Sequence, residues 1–479
     1  MSKNKVTYIC QTCGTQYAKW IGKCDGCGSW NTILEELTDF NISGLHQNFS
    51  KKDILEKVIP INELTSSESE LLSRYDTGFE ELNRVLGGGI VAQSTILLSG
   101  EPGIGKSTLL MQLCNNLALK GIQSIYISAE ESLNQLKIRA QRLQITGSDI
   151  KILTTTSLLE IIATVNNNKK NCVLIVDSIQ TIYLEEIGAT PGSMSQVKAC
   201  AFELIKLAKQ LSNVVIIVGH VTKDGQIAGP KLLEHMVDVV LSFEGENIKQ
   251  HRIIRSIKNR YGATNDIGIF TMSNGGLMEV SNPSELFVTQ QYDGGVAGSC
   301  ITAFHEGSRS IIVEIQALTS QSFFTNPRRL SIGWDSPRLG MIIAILNSRI
   351  GIKLMDKEVY LNVVGGLRIN ETGIDLAVAV ALLSAHYGIL VTRDTIFIGE
   401  IGLLGELRPI SYIDNRLNEA SKLGFKKAII PKENLANVAK SELRTSIEVE
   451  GFSNLKQVFH KIKTEFTSEP RRTSTEHRK

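Results

Sequence analysis

The stretch "LLSGEPGIGKSTLLMQ", from Leu97 to Gln112, constrains the fold more than any other part of this chain. An apolar run stops at Ser99. A loop of Gly100, Glu101, Pro102, Gly103, Ile104 and Gly105 turns the backbone, and Lys106, Ser107 and Thr108 open a helical pattern. This matches G-x4-G-K-[ST] in full, in the strand-to-helix setting that the motif needs. The backbone N–H groups of Gly103, Ile104, Gly105 and Lys106 can encircle a phosphate at the N-terminus of the helix, where the peptide dipoles favour an anion. Lys106 supplies charge to the β- and γ-oxygens and Ser107 a hydroxyl for Mg²⁺, so ATP with Mg²⁺ is the expected ligand.

The flanking runs "STILLSG", "SIYISAE", "NCVLIVDS", "NVVIIVGH" and "VVLSFEG" alternate with helical patterns. Continuous apolar strands of this kind indicate a mostly parallel sheet covered on both faces, and so an α/β fold. Asp177 ends one run and suits the carboxylate that holds the Mg²⁺ water shell. Glu130 and Glu131 follow another. Glu131 sits where a helix begins and suits a helix N-terminal acid, which leaves Glu130 as the preferred base for the attacking water. His220 ends a third run, either as a γ-phosphate sensor or as a plain strand-end histidine.

A chain of 479 residues implies two or three domains, and 42% hydrophobic with 21% charged residues is ordinary for a soluble globular protein. Net charge is only +2, so any affinity for nucleic acid must come from local patches. The apolar runs are of strand length, no membrane span is expected, and "MSKNKVTYIC" lacks a signal-like apolar run. The cytoplasm is the expected compartment. Cys114, Cys172, Cys200 and Cys300 lie in apolar contexts, as buried thiols of a reducing compartment do. The expected layout is a cysteine head at 1–32, a linker at 33–57, the ATP-binding domain at 58–285, a second α/β domain at 286–465 and a disordered tail at 466–479.

Cys10, Cys13, Cys24 and Cys27 form C-x2-C-x10-C-x2-C. Two knuckles of this spacing complete a tetrahedron of thiolates, and zinc is the expected metal over two disulfides or an iron–sulfur cluster. Around them stand Lys19, Trp20, Lys23 and Trp30. The tryptophans either stack on single-stranded bases or pack against the metal knuckles.

The order of lysine loop, strand-end glutamate, Asp177 and His220 resembles the RecA-type ATPase core. With the zinc head, "YDTGFEELNRVLGGGI", "GHVTKDGQIAGPKLLEHMVD" and "IKNRYG", nearly the whole chain resembles the bacterial RadA (Sms) DNA-repair family. "HRIIRSIKNRYG" concentrates Arg252, Arg255, Lys258 and Arg260, which by itself also reads as a solvated basic strand edge. In the family the matching pentapeptide is lysine–asparagine–arginine–phenylalanine–glycine, and Tyr261 here keeps the ring. The resemblance implies that Lys258 and Arg260 couple nucleotide state to DNA and reach a neighbour's phosphate site. It also makes the loops carrying Lys198 and Lys223 with Lys231 candidates for DNA contact, although ordinary surface loops would read alike.

The C-terminal half resembles the Lon-type peptidase domain, but Gly373 stands where that family has its nucleophilic serine and Asp414 where it has its lysine. A serine–lysine mechanism needs both groups, so the domain is expected to be inactive as a peptidase. It would hold subunits together or guide DNA over Arg328, Arg329, Arg338, Arg349, Lys353, Lys357 and Arg368. By resemblance the whole is a DNA-dependent, helicase-type ATPase that assembles as a hexameric ring on single-stranded and branched DNA and works with the RecA recombinase in break repair. A nucleotide-switched regulator that does not translocate is the alternative, and an ATP-dependent peptidase a weaker one.

Overall fold

The computed structural model describes residues 6–10, 15–30, 32–37, 73–168, 170–220, 232–245, 251–288, 296–324, 326–438 and 447–466. The chain divides into two compact units, Met1–Glu279 and Val280–Lys479. In the cysteine head, β1 (Val6–Cys10) lies between β2 (Gln16–Tyr17) and β3 (Ile33–Leu37), antiparallel to both. The strand β3 takes its five residues from the stretch expected as linker. Its pairing, from Val6 opposite Leu37 to Cys10 opposite Ile33, satisfies an edge of β1 that would otherwise be open.

The rest of the first unit is built on one sheet. After the short ribbon of β4 (Arg74–Tyr75) and β5 (Ile90–Val91) come β6 (Thr95–Gly100), β7 (Ser124–Ser128), β8 (Ile150–Thr154), β9 (Val173–Asp177), β10 (Val214–His220) and β11 (Val239–Glu244). Then follow β12 (His251–Asn259), β13 (Ile267–Ser273) and β14 (Gly276–Glu279). They lie in the order β14-β13-β12-β11-β6-β10-β9-β7-β8. From β11 to β8 every pairing is parallel, and β12 to β14 extend the sheet antiparallel.

Every residue of β6, β7 and β9 is buried, which is why those strands read as unbroken apolar runs. Ile96 and Leu98 face one core with the helix Lys106–Leu119, while Leu97 faces the other with the helix Met194–Gln210. The connections leave β6 toward β7 on one side and return to β11 on the other. The carboxyl ends of β6, β7, β9 and β10 therefore border one crevice, the usual place for a ligand in such a sheet.

The second unit holds β15 (Ser299–Glu306), β16 (Arg309–Gln321), β17 (Arg329–Ile332), β18 (Lys357–Val363), β19 (Thr395–Phe397), β22 (Lys427–Pro431) and β23 (Glu448–Phe452). Their order is β17-β18-β16-β15-β19-β22-β23, and a small ribbon pairs β20 (Glu400–Ile401) with β21 (Leu407–Arg408). The helix Asp375–Tyr387 is buried from Asp375 to Ser384, so its sequence shows no polar face. This unit starts a few residues before the position that the sequence implies. The short helix Pro283–Leu286 belongs to it, with Ser284 Oγ accepting from Ile312 N at 3.1 Å and donating to Glu419 at 3.0 Å. Among the described residues no helix is long and apolar enough to cross a membrane.

Candidate nucleotide site and cysteine centre

Gly103 and Gly105 take φ of 77° and 119°, in the left-handed region that favours glycine. A Cβ on Gly105 would lie 2.8 Å from Met272 Cε, whereas one on Gly103 would meet nothing within 4 Å. The back of the loop is thus packed and its front open. The helix starting at Lys106 has no capping side chain and no acid in its first turn, so its free N–H groups suit an anion. Ser107 is half-buried on that turn, Thr108 is buried, and Glu101 and Pro102 are exposed.

Ile104 is buried, and its carbonyl accepts a hydrogen bond from Arg252 Nε at 3.1 Å. Arg252 is itself only 6% exposed. β12 is an interior strand, so the solvated basic edge is not what the structure shows. Arg252 braces the phosphate loop from behind, and Arg255 bonds Glu244 at 3.2 Å.

The strand ends converge as the chemistry requires. Lys106 Nζ donates to the carbonyls of Gly100 (2.7 Å) and Glu101 (2.9 Å) and lies 3.3 Å from His220 Nδ1. The opposite ring nitrogen, Nε2, is 3.0 Å from Glu130 Oε1. An ammonium has only donors, so in this arrangement Nδ1 accepts from Lys106 and Nε2–H donates to Glu130, and the His220 ring links lysine to glutamate. The Ser178 hydroxyl also donates to Glu130. His220, then Ser178 and Lys106, hold the Glu130 carboxyl down at about 2 against a desolvation that opposes them. Burial lowers the Lys106 pKa, and Asp177, Glu130 and Glu101 pull it back. Glu131 points elsewhere, paired with Arg139 at 2.5 Å.

Asp177, 8% exposed, accepts from the Tyr126 hydroxyl at 2.6 Å. Tyr126 is fully buried, and its phenol is pushed well up by desolvation and by that carboxylate. Motif and spacing alone do not single it out. A signal exists nonetheless, because a tyrosine inside an all-apolar strand must find a partner for its hydroxyl.

Lys258 and Arg260 are not brought to this site within the chain. Phe243 of β11 is level with Gly100, and Val240, which opposes Lys258, is level with Leu97. Lys258 therefore lies roughly 10 Å back along the strands, toward the opposite rim of the sheet. Its ammonium donates to the carbonyls of Glu234 and Val237, both at 2.8 Å, at the end of the helix Leu232–Met236. Arg260, about half exposed, pairs with buried Asp238 at 3.0 Å. The glycines of "RVLGGGI" support this corner: a Cβ on Gly87 would stand 2.9 Å from Gly262 Cα, and Arg74 donates to Tyr261 O at 2.8 Å.

The loop after β9 is held by the buried Gln196 amide, which donates to the carbonyls of Leu184, Ile187 and Ala189 within 3.0 Å. Lys198 is exposed nearby, but so are Glu185 and Glu186. Lys223 and Lys231 lie outside the described residues.

In the second unit, a Cβ on Gly373 would stand 3.2 Å from Arg416 Nη1 and 3.3 Å from Glu371 Oε1. Arg416 is buried and forks onto Glu371 at 2.6 and 2.8 Å, so an ion pair fills the space beside Gly373. Asp414 is half-buried on the helix Ile413–Lys422. Of the basic residues expected to form a surface, Arg328, Arg329, Arg349, Lys353 and Arg368 are exposed and Lys357 is half-buried. Arg338 is turned inward onto buried Asp375.

In the head, the thiols of Cys10, Cys24 and Cys27 lie within 4.8 Å of one another, with Cys10 Sγ and Cys27 Sγ 3.7 Å apart. Four thiolates at 2.3 Å around zinc have edges of about 3.8 Å, so these donors fit a tetrahedral thiolate centre. Cys13 lies outside the described residues. Cys114, Cys172, Cys200 and Cys300 are buried in the two α/β units as expected.

Three family models match parts of the chain. An ATPase model described as KaiC covers residues 75–173, a model for subunit ChlI of Mg-chelatase covers 341–434, and a zinc-ribbon model described as a rubredoxin metal binding domain covers 8–35. The chain is 46% identical over 455 residues to the DNA repair protein RadA of Halalkalibacterium halodurans, covering 95% of this chain and 98% of that one. Identity to the RadA of Bacillus subtilis is 46% over 456 residues, again 95% and 98%. With the RadA of Rickettsia conorii it is 48% over 433 residues, 90% and 95%. A crystal structure of a KaiC-like protein from Pyrococcus horikoshii aligns with 44% of this chain and 99% of its own, at TM-score 0.37 and 18% identity.

Proposed function

The chain belongs to the RadA family of DNA repair proteins, and from that premise we propose that it is a ring-forming, DNA-dependent ATPase that moves branched recombination intermediates. The N–H groups of Gly103 to Lys106 and the Lys106 ammonium would hold the β- and γ-phosphates, with Ser107 and Asp177 on the side of Mg²⁺. Glu130 would orient the attacking water, with His220 fixing its carboxylate against Lys106. The four head cysteines would hold zinc, which supplies folding free energy that the small buried centre found among the described residues cannot.

The observation that carries the ring is the register of β12. It sets Lys258 and Arg260 at the rim away from their own phosphate loop, so a role at a phosphate requires a neighbouring subunit. A hexamer, single-stranded and branched DNA as track, the RecA recombinase as partner and a cytoplasmic location follow from the family likeness. Peptidase activity is not part of the proposal, because Gly373 has no nucleophile and the Arg416–Glu371 pair occupies the space beside it.

The test is ATP hydrolysis with and without single-stranded DNA at two salt concentrations, with Lys106→Ala as the blank. A rate raised by DNA and weakened by salt is expected. Mixing Lys106→Ala chains with Arg260→Ala chains should then restore activity at about a quarter of the interfaces, as heterologous contacts in a ring require. Hydrolysis indifferent to DNA would make the chain a nucleotide-switched regulator, and a mixture as inactive as its parts would remove Arg260 from the neighbour's site.

A further inference from the structure

The cysteine head carries two large aromatic side chains on its outside. Trp20 is 57% and Trp30 67% exposed, while the third tryptophan, Trp334, is only 7% exposed. The two exposed indoles flank Gly22. A Cβ there would lie 3.7 Å from Trp20 Cη2 and 4.0 Å from Trp30 Cζ3, so the rings come within about 8 Å of each other. Gly22 thus keeps a shallow floor between them that a side chain would fill.

The rings are held in place. The Trp20 indole N–H donates to Ile33 O at 3.0 Å, and Trp30 pairs its backbone with Lys23. The Lys23 ammonium lies 5.6 Å from the Trp30 ring centroid. Lys19 is exposed beside Trp20. Among the described residues the buried centre of the head is Cys10, Cys24 and Ile33, with Tyr8, Tyr17 and Ile21 against it, and neither tryptophan belongs to it.

We infer that Trp20 and Trp30 form a stacking platform for the bases of single-stranded nucleic acid, with Lys19 and Lys23 toward the phosphates. Two exposed indoles whose edges come within about 8 Å, beside cations, offer base-independent stacking together with charge complementarity. The inference rests on the reading of the chain as a single-strand DNA motor, but the platform has its own signal. Two of three tryptophans are exposed here, so a base on either ring quenches intrinsic fluorescence.

The experiment titrates the full, zinc-loaded chain with a thymidine oligomer and with an abasic oligomer of the same length. The thymidine oligomer should quench most of the emission and the abasic one should not. Trp20→Ala and Trp30→Ala should each weaken binding of the thymidine oligomer by about tenfold, with zinc content unchanged, while Trp→Phe at either position restores most of it. Equal quenching by the abasic oligomer overturns the platform, as does unchanged affinity in the alanine variants. If an alanine variant loses zinc, the abasic comparison decides, because it needs no variant. Stimulation of hydrolysis by DNA, read separately against Lys106→Ala, reports on the motor. A failed platform with intact stimulation and a failed motor with intact quenching are therefore distinguishable.

Discussion

Tyr126→Phe isolates one hydrogen bond at the nucleotide site. The phenol is fully buried, its hydroxyl is 2.6 Å from Asp177 Oδ2, and that carboxylate is 8% exposed at the end of β9. The substitution keeps the ring and its packing, so cavity terms are small. What is lost is a bond to a charged acceptor, worth about 1.5–3 kcal/mol, part of which water entering at the strand end recovers. A net destabilisation of about 1–2 kcal/mol is expected, which lowers the Tm of a unit this size by about 2–8 °C.

If Tyr126 also aims the carboxylate at the metal side of ATP, Mg²⁺ half-saturation of hydrolysis should rise by about tenfold or more, as for other partners that orient a metal ligand. The assay is steady-state hydrolysis against Mg²⁺ at fixed ATP, with thermal unfolding in parallel. A lower Tm with an unchanged Mg²⁺ dependence would reduce Tyr126 to a core residue. It would also undercut the placement of Asp177 beside the metal.

His220→Ala should change how stability depends on acid. The Glu130 carboxyl is depressed to about 2 chiefly by His220, so its contribution is complete above about pH 4.5 and lost as pH falls toward 2. The carboxylate is 40% exposed, and screening leaves about 1 kcal/mol. Urea midpoints measured from pH 6 to 2.5 should therefore fall less steeply in the variant, and parallel curves would refute the pairing. Arg416→Ala should destabilise the second unit by about 3–5 kcal/mol, because it strands Glu371 without its fork. A loss below 1 kcal/mol by denaturant unfolding would show that water replaces the guanidinium freely.

Local pattern makes some parts of this protein legible in its sequence. The phosphate loop, the all-apolar strands ending at Asp177 and His220, and the knuckle spacing of Cys10, Cys24 and Cys27 each depend on neighbours within a few residues. Arg252 is not legible in this way, because its partner, the Ile104 carbonyl, lies 148 residues away. A buried arginine and a solvated one look identical in a basic strand. The strand Ile33–Leu37 reads as linker because two consecutive glutamates mask its alternation, although pairing with β1 decides its fate. Nor can a sequence show that the His220 bridge joins Lys106 to Glu130, since tautomer and distance exist only once three strands are assembled.

The strand β12 has a mechanical consequence. Near one end Arg252 grips the loop that faces the phosphates, and near the other stand Lys258 and Arg260. The span from Arg252 to Lys258 is roughly 20 Å of extended backbone, paired with β13 as far as Arg255 and with β11 from Ile253 onward, with a bulge at Ile257. A bulge is where such a strand bends. Under the proposed function, a displacement of the loop's back wall would reach Lys258 and Arg260 through that single irregular residue, where the motion would be either absorbed or passed on.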